Sequence, residues 1–412
     1  MSTKQLAGCD LLGLKGLDRE TLGHYLTTAA EFEKIIKRDI KKVPTLKGKS
    51  VITLFYENST RTRTSFEAAG KYMSADVINI SGSTSSTTKG ESLRDTFLTL
   101  QALTADCIIM RTPFSGAPEQ AAAWVDVPVI NAGDGMHEHP TQGLLDAYTI
   151  QKVKGPLDGL KVAIVGDVAH SRVARSNVWG LSTLGADVHL VGPNTLMPRD
   201  ISQLPVTVHN TLESGIAGAD VVMVLRLQLE RMSKALFPTA REYHMTFGIN
   251  EATLRYAKPD AIVMHPGPMN RGLEIGGDLP DGHQSVICQQ VTSGVAVRMA
   301  ALYLLLGALG ASSADDQAHA LRHLQRGGGG LEPATVRGVG DLARDAATLA
   351  GVRHQHAVTA GQRQPGGQGR ALVAALFLDD LHQQDLATLD DVLDLVAPHQ
   401  APLQPLFVGQ LG

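Results

Sequence analysis

The sequence predicts an α/β protein built from two doubly wound parallel-sheet domains, followed by a loosely structured tail. Three observations carry this expectation. Short β-rich runs alternate with segments of helical periodicity, the alternation starts afresh after a polar Pro/Gly stretch, and the composition changes character beyond about residue 312. At 412 residues the chain exceeds one ordinary core. With 43% hydrophobic and 19% charged residues and a formal net charge of -4, it reads as a soluble globular protein, which excludes a strongly basic nucleic-acid binder.

The first element is an amphipathic helix with Leu22, Tyr25, Leu26 and Ala29 on one face. Strands are then expected at Ser50 to Tyr56, Asp76 to Ile80, Asp106 to Met110 and Val127 to Ile130. Between them, Phe66, Ala69, Gly70 and Met73 repeat at helical spacing, as do Leu93, Phe97 and Leu100. KVKGPLDGLK, Lys152 to Lys161, reads as a boundary. A second strand series follows at Val162 to Val165, Asp187 to Val191, Val221 to Leu225 and Ala261 to Met264. Alternating strands and helices require crossover connections, hence parallel sheets. The apolar run Val295 to Ala311 is interrupted by Arg298 and is shorter than the roughly 20 residues that span a bilayer, so it is expected to be a buried helix and no membrane partner is expected. Beyond Ser312, GGGG and QRQPGGQGR are linker-like, lysine is absent and histidines are scattered; a loose appendage is expected, with partner docking as the alternative.

Cys9, Cys107 and Cys288 are odd in number and far apart, which suits a reducing cytoplasm better than a disulfide framework, and MSTKQLAGCD lacks the features of a signal peptide. The polar clusters follow the carboxyl ends of predicted strands. They are Ser59 to Arg63, SGSTSSTTKGE (Ser81 to Glu91), Arg111, His139 to Gln142, GDVAHSR ending at Arg172, LRLQLER (Leu225 to Arg231) and HPGP (His265 to Pro268). Ligands bind at that edge of an open α/β sheet, and independent surface charges would be spread over both edges.

FYENSTRTRTSFE places hydroxyls and Arg61 at a helix N-terminus, where backbone N–H groups and the macrodipole favour phosphate. The competing reading is an ordinary capped helix with surface ion pairs. Lys89, flanked by hydroxyls, can close over an anion or simply be solvated. HEHPTQ invites a metal, yet no further ligand stands at a suitable spacing; His139 before Pro140 suits a helix start, as a donor to a carbonyl oxygen or as a plain cap. Gly166 stands alone where a dinucleotide fingerprint needs three glycines. Neither metal nor cofactor is therefore expected. Arg172 and Arg226 suit two separate carboxylates, with surface pairing as the alternative.

Taken in order, STRTRTSFE, STTKGES, MRTP, HPTQGLLD, GDVAHSRVARSN, RLQLER and HPGPMNRGLEI closely resemble the aspartate carbamoyltransferase catalytic chains of the aspartate/ornithine carbamoyltransferase family, from near the N-terminus to about Gly310. The resemblance implies domains at 1–150 for carbamoyl phosphate and 151–311 for aspartate, with a C-terminal helix returning to the first, and leaves 312–412 without a counterpart. It implies carbamoyl transfer from carbamoyl phosphate to the α-amine of L-aspartate in pyrimidine synthesis. Ser59, Thr60, Arg61 and Thr62 would hold the phosphate; Thr62, Arg111 and His139 the carbonyl oxygen; and Gln142 would lie near the amide nitrogen. Ser85 and Lys89 would reach a neighbouring subunit's site in a homotrimer. Arg172 would take the α-carboxylate, Arg226 and Gln228 the β-carboxylate, and Gly267 and Pro268 would lie near the amine. Glu57 would pair with Arg172 and Arg231 on domain closure. An ornithine-specific relative is the nearest rival, but HPGP replaces the HCLP expected there. A silent scaffold is the other rival, and a dihydroorotase or regulatory chain is a conceivable partner for the tail.

Overall fold

The structure, a computed structural model, describes residues 6–82, 90–228 and 239–307, all within one compact unit, Met1–Gly329. The chain enters through α1 (Arg19–Ile36), whose N-cap Asp18 accepts the Thr21 N–H at 2.7 Å. The predicted face Leu22, Tyr25, Leu26 and Ala29 is buried. Then come β1 (Ser50–Phe55), α2 (Thr60–Tyr72), β2 (Asp76–Ser81), α3 (Leu93–Ala102), β3 (Cys107–Thr112), α4 (Ala117–Ala122), β4 (Val129–Asp134) and α5 (Pro140–Lys154). The second series is β5 (Lys161–Val165), α6 (Arg172–Thr183), β6 (Asp187–Val191), β7 (Thr207–His209), α7 (Leu212–Ile216), β8 (Val221–Val224), α8 (Ala240–Phe247), α9 (Glu251–Leu254) and β9 (Ile262–Met264), and α10 (Ile287–Leu306) closes it.

Both sheets are wholly parallel, in the orders β2-β1-β3-β4 and β7-β6-β5-β8-β9. Each order reverses beside its first strand, between β1 and β3 and between β5 and β8, and those reversals open crevices at the carboxyl ends. The central strands are apolar on both faces because helices cover both. Val51 and Phe55 of β1 feed one core, Ile52 and Leu54 the other; Val162 and Ile164 of β5 divide likewise from Ala163 and Val165. Helix α10 leaves the second sheet and packs on α1, α2 and α5 of the first half. It is the buried helix that the apolar run predicted, with Arg298 only 3% exposed in its middle.

The structure departs from the expected boundaries in four places. β3 runs to Thr112, so Arg111 lies inside the strand rather than after it. β4 begins at Val129 and runs to Asp134, because Asn131 and Gly133, turn-like by composition, continue the strand through a register shift opposite Met110 and Thr112. Helix α5 extends to Lys154 and ends at Gly155 with φ +86, so the polar boundary stretch starts on a helical turn. The three-residue edge strand β7 was too short for its alternation to be visible. The tail, residues 83–89 with Ser85 and Lys89, and residues 229–238 with Arg231 lie outside the described residues.

Candidate active site

The carboxyl ends of the two sheets face a shared cavity of about 970 Å³. Every predicted site residue among the described ones lines it. Glu57, Ser59, Thr60, Arg61 and Thr62 come from the turn after β1; Arg111 from the end of β3; His139 and Gln142 from the start of α5; Arg172 from the start of α6; Arg226 and Gln228 from after β8; Gly267 and Pro268 from after β9. Arg298 reaches it from α10, so among the described residues five guanidiniums meet one carboxylate, Glu57. Such a surplus of positive charge between low-dielectric walls attracts polyanions.

At the first turn of α2 the N-cap Ser59 makes no side-chain capping bond and the turn carries no acidic residue, which leaves its N–H end suited to an anion. Arg61 belongs to that turn and lines the cavity. Partial burial and then the Arg226 charge lower its pKa from the usual range, so the two guanidiniums are near enough to feel one another. A Cβ at Gly267, where φ is +65, would come within 3.1 Å of Arg61 Cζ, so this glycine lets the guanidinium of the first half lie on the backbone of the second.

Glu57 ties the halves. Its Oε2 accepts from Arg172 Nη2 at 2.6 Å and pairs with Arg111 Nε at 3.3 Å. The expected Arg172 partner is thus in place and Arg111 is an additional one. Arg111 also donates from Nη1 to the Ala132 carbonyl at 3.2 Å. Arg172 is only 4% exposed, and its Nη1 is buried with no hydrogen-bond partner among the described residues. Gly133, at φ +115, makes room for both arginines, since a Cβ there would lie 3.0 Å from Arg172 Nε and 3.3 Å from Arg111 Nη1.

His139 is the N-cap of α5, and its backbone N–H donates to Ser176 Oγ at 2.8 Å. That hydroxyl donates to Glu138 at 2.6 Å, and Glu138 accepts from the backbone of Leu14 at 3.0 Å and Lys15 at 3.2 Å. Burial, then the charges of Arg111, Arg298 and Arg172, push the imidazole far below its usual pKa, so it is neutral, and its buried Nδ1 has no partner among the described residues. A neutral ring beside guanidiniums is suited to hydrogen bonding a substrate oxygen rather than to taking a proton from it.

The turn after β9 is held by His265. The Gly267 N–H donates to its Nδ1 at 2.8 Å, which leaves the proton on Nε2, 3.3 Å from Glu274 Oε1. Gln228 is placed by its own N–H on Asp167 Oδ2 at 3.3 Å.

The two histidines of HEHPTQ separate: His139 is buried in the cavity wall, whereas His137 faces Glu119 and Asp134 with ligand atoms within 4.8 Å of one another. Both Asp134 oxygens are already occupied. Oδ1 accepts from Asn131 Nδ2 at 2.8 Å and Glu138 N at 3.0 Å, and Oδ2 from Gly116 N at 2.7 Å and His137 Nδ1 at 3.0 Å, so this group staples the loop beside the cavity. Sequence reasoning missed Arg298, and it quoted His265 and Asp146 without a role. A lone arginine inside an apolar helical run is the signal that could have marked the first, because such a charge is buried only when it has work to do.

Two family models cover most of the described chain. Residues 9–152 match the aspartate/ornithine carbamoyltransferase carbamoyl-P binding domain, and residues 158–305 match the Asp/Orn binding domain. The aspartate carbamoyltransferase catalytic subunit of Heliobacterium modesticaldum is 58% identical over 304 residues, 74% of this chain and 97% of that one. That of Sorangium cellulosum is 58% identical over 295 residues, 72% and 92% of the two chains. Among solved structures, Trypanosoma cruzi aspartate transcarbamoylase in complex with N-(phosphonacetyl)-L-aspartic acid superposes with a TM-score of 0.67 at 31% identity, covering 74% of this chain and 97% of that one. Ornithine carbamoyltransferase from Pyrococcus furiosus does so with 0.67 at 29%, covering 73% and 98%. Two contiguous domain matches and this identity over nearly the whole length of its relatives place the chain in the aspartate/ornithine carbamoyltransferase family.

Proposed function

We propose that this chain is a carbamoyltransferase that moves the carbamoyl group of carbamoyl phosphate onto the α-amine of L-aspartate, giving N-carbamoyl-L-aspartate and phosphate for pyrimidine synthesis. The observation that carries this reading is the convergence of Arg61, Arg111, Arg172 and Arg226 with His139 on one cavity. A phosphorylated donor plus a dicarboxylic acceptor brings anionic groups that match the excess of positive charge over the Glu57 carboxylate among the described lining residues. Residues 1–150 form the donor-binding domain, 151–311 the acceptor-binding domain with its returning helix, and 312–412 an extension of separate role.

In this reading the phosphate sits on the first turn of α2 with Ser59, Thr60, Arg61 and Thr62, and the carbamoyl oxygen meets Thr62, Arg111 and His139. Gln142 faces the carbamoyl nitrogen. Arg172 takes the α-carboxylate, Arg226 and Gln228 take the β-carboxylate, and the backbone at Gly267 and Pro268 faces the amine. The amine lone pair attacks the carbamoyl carbon, the C–O bond to phosphate breaks, and the departing phosphate carries away the amine proton. Arginine cannot act as the base because it stays protonated. The protein's part is alignment, worth about 7 kcal/mol or more, and oxyanion stabilisation, about 3 to 4 kcal/mol per well-placed donor.

Ser85 and Lys89 complete the site of a neighbouring subunit in a homotrimer, and Arg231 joins Glu57 when the halves close. The compartment is the cytoplasm; among the described residues no helix is long and apolar enough to cross a membrane. Against ornithine as acceptor stand the HPGP turn and the guanidinium of Arg226, which would repel an ammonium side chain. Phosphate release from carbamoyl phosphate decides the matter: turnover with aspartate and background release with ornithine are expected. A preference for ornithine, or no turnover with either, would overturn the assignment.

A further inference from the structure

Asp146 stands one helical turn beyond Gln142 on α5, fully buried and behind the cavity wall. Three side-chain amides from three helices point at it. Its Oδ1 accepts from Gln142 Nε2 at 3.0 Å and from Gln290 Nε2 of α10 at 2.8 Å; its Oδ2 accepts from Asn177 Nδ2 of α6 at 2.8 Å. Burial raises its pKa to about 6 against the pull of these amides and of Arg298, so the group is a carboxylate at neutral pH.

An ionised carboxylate only accepts hydrogen bonds. Every amide that faces it must present its NH₂, and this settles orientations that the shape of an amide alone does not. Gln290 confirms the logic, because its Oε1 is then turned to accept the His265 N–H at 2.9 Å at the start of the turn after β9. For Gln142 the consequence falls on the cavity that it lines: with one N–H of Nε2 held by Asp146, Oε1 at the other end of the amide is the acceptor it has to offer a ligand.

We propose that Asp146 is a positioning residue for donor specificity, which locks the Gln142 amide with its oxygen toward the ligand and so makes the cavity select a carbamoyl NH₂ over the isosteric methyl of an acetyl phosphate. The proposal rests on the reading of the donor as carbamoyl phosphate. A methyl group offers no proton to a buried acceptor, and a site built around a substrate N–H rejects the analogue that lacks it far more strongly than it senses a small difference in size. Without Asp146 the Gln142 amide can turn, the NH₂ then faces the ligand, and the selection fades.

The test is calorimetric binding of carbamoyl phosphate, acetyl phosphate and inorganic phosphate to the full chain and to Asp146→Leu. The wild type is expected to favour carbamoyl over acetyl phosphate by about tenfold or more. Asp146→Leu is expected to bring that ratio to within about threefold of unity while inorganic phosphate binds as before, and to change nothing further in a Gln142→Ala background. An unchanged ratio in a variant that still binds phosphate would overturn the proposal, as would a full additional loss in the Gln142→Ala background. A wild type that binds phosphate with no preference for carbamoyl phosphate would instead sink the reading of the donor. Should Asp146→Leu not fold, neutron diffraction of the wild type with carbamoyl phosphate carries the test. Gln142 deuterons on Asp146 and Oε1 against the carbamoyl nitrogen support the proposal, and Nε2 against it refutes it.

Discussion

His139 shows how burial sets chemistry at the scale of one residue. Its ring has a pKa depressed by burial and by three neighbouring guanidiniums. In the unfolded chain the same imidazole takes up a proton near pH 6.5. Below that pH the unfolded state holds more protons than the native one, so the native state loses stability as pH falls, with a slope approaching about 1.4 kcal/mol per pH unit. Urea denaturation between pH 5 and 7.5 is therefore expected to show a shallower acid dependence for His139→Gln than for wild type. Identical slopes would mean that the native ring titrates normally. Gly133 is the second such residue. Alanine there must adopt φ +115 and would press on Arg172, itself locked to Glu57, so Gly133→Ala is expected to cost about 1 to 3 kcal/mol of stability in backbone strain alone. Turnover with aspartate should fall at least about tenfold, the price of moving a positioned group. A melting temperature and turnover like the wild type would contradict the packing described.

Much of this scale was legible because the chemistry is carried by residue type. Arginines and a histidine gathered after strand ends already announced an anion site, and all thirteen described candidates line the cavity. What the sequence concealed were the relations between them. Nothing in the spacing of Glu57, Arg111 and Arg172 says that one carboxylate oxygen serves both arginines, and nothing in HPTQGLLD says that Asp146 fixes an amide four residues earlier. Those relations depend on tertiary placement of α5, α6 and α10.

At the scale of elements, periodicity found the long strands and helices whose apolar faces repeat, and it failed where local composition was overridden. Asn131 and Gly133 are poor strand formers, yet β4 runs through them: Asn131 Nδ2 donates to the Leu12 carbonyl and to Asp134 and its Oδ1 accepts the Gly133 N–H, while Gly133 has no Cβ to press on Arg172 and Arg111. Helix α10 is the element that binds the halves into one body, burying Leu302, Leu304, Leu305 and Leu306 at about 1.5 to 3 kcal/mol each. The relatives match up to this helix and little beyond it, with residues 158–305 ending the second domain match. Truncation after Ala311 is accordingly expected to leave the melting temperature, the oligomer mass and the rate of phosphate release unchanged. A smaller assembly or a lost partner in pull-down would instead assign the extension a docking role.

At the scale of the whole molecule, the two sheets are each unremarkable folds whose switch points become a site only when set face to face. Glu57 to Arg172 and Arg61 to Gly267 cross between the halves inside the cavity, and His139 to Ser176 and Asp146 to Asn177 and Gln290 cross between them behind it. The assembly adds a further level. If Lys89 serves a neighbouring subunit, Lys89→Ala and Arg61→Ala chains, each inactive, should regain activity when mixed, because some sites of a mixed trimer hold both native residues. Verified mixed trimers without activity would confine each site to one chain.

The central claim is that these guanidiniums bind one phosphorylated and one dicarboxylic group together. A ligand that joins a phosphonate to aspartate tests it most directly by titration calorimetry. The account predicts affinity far above that of phosphate or succinate alone, with a drop of about a hundredfold or more for Arg61→Ala and again for Arg226→Ala, as expected when a buried charge pair loses one partner. Equal affinity in the wild type and both variants would contradict it.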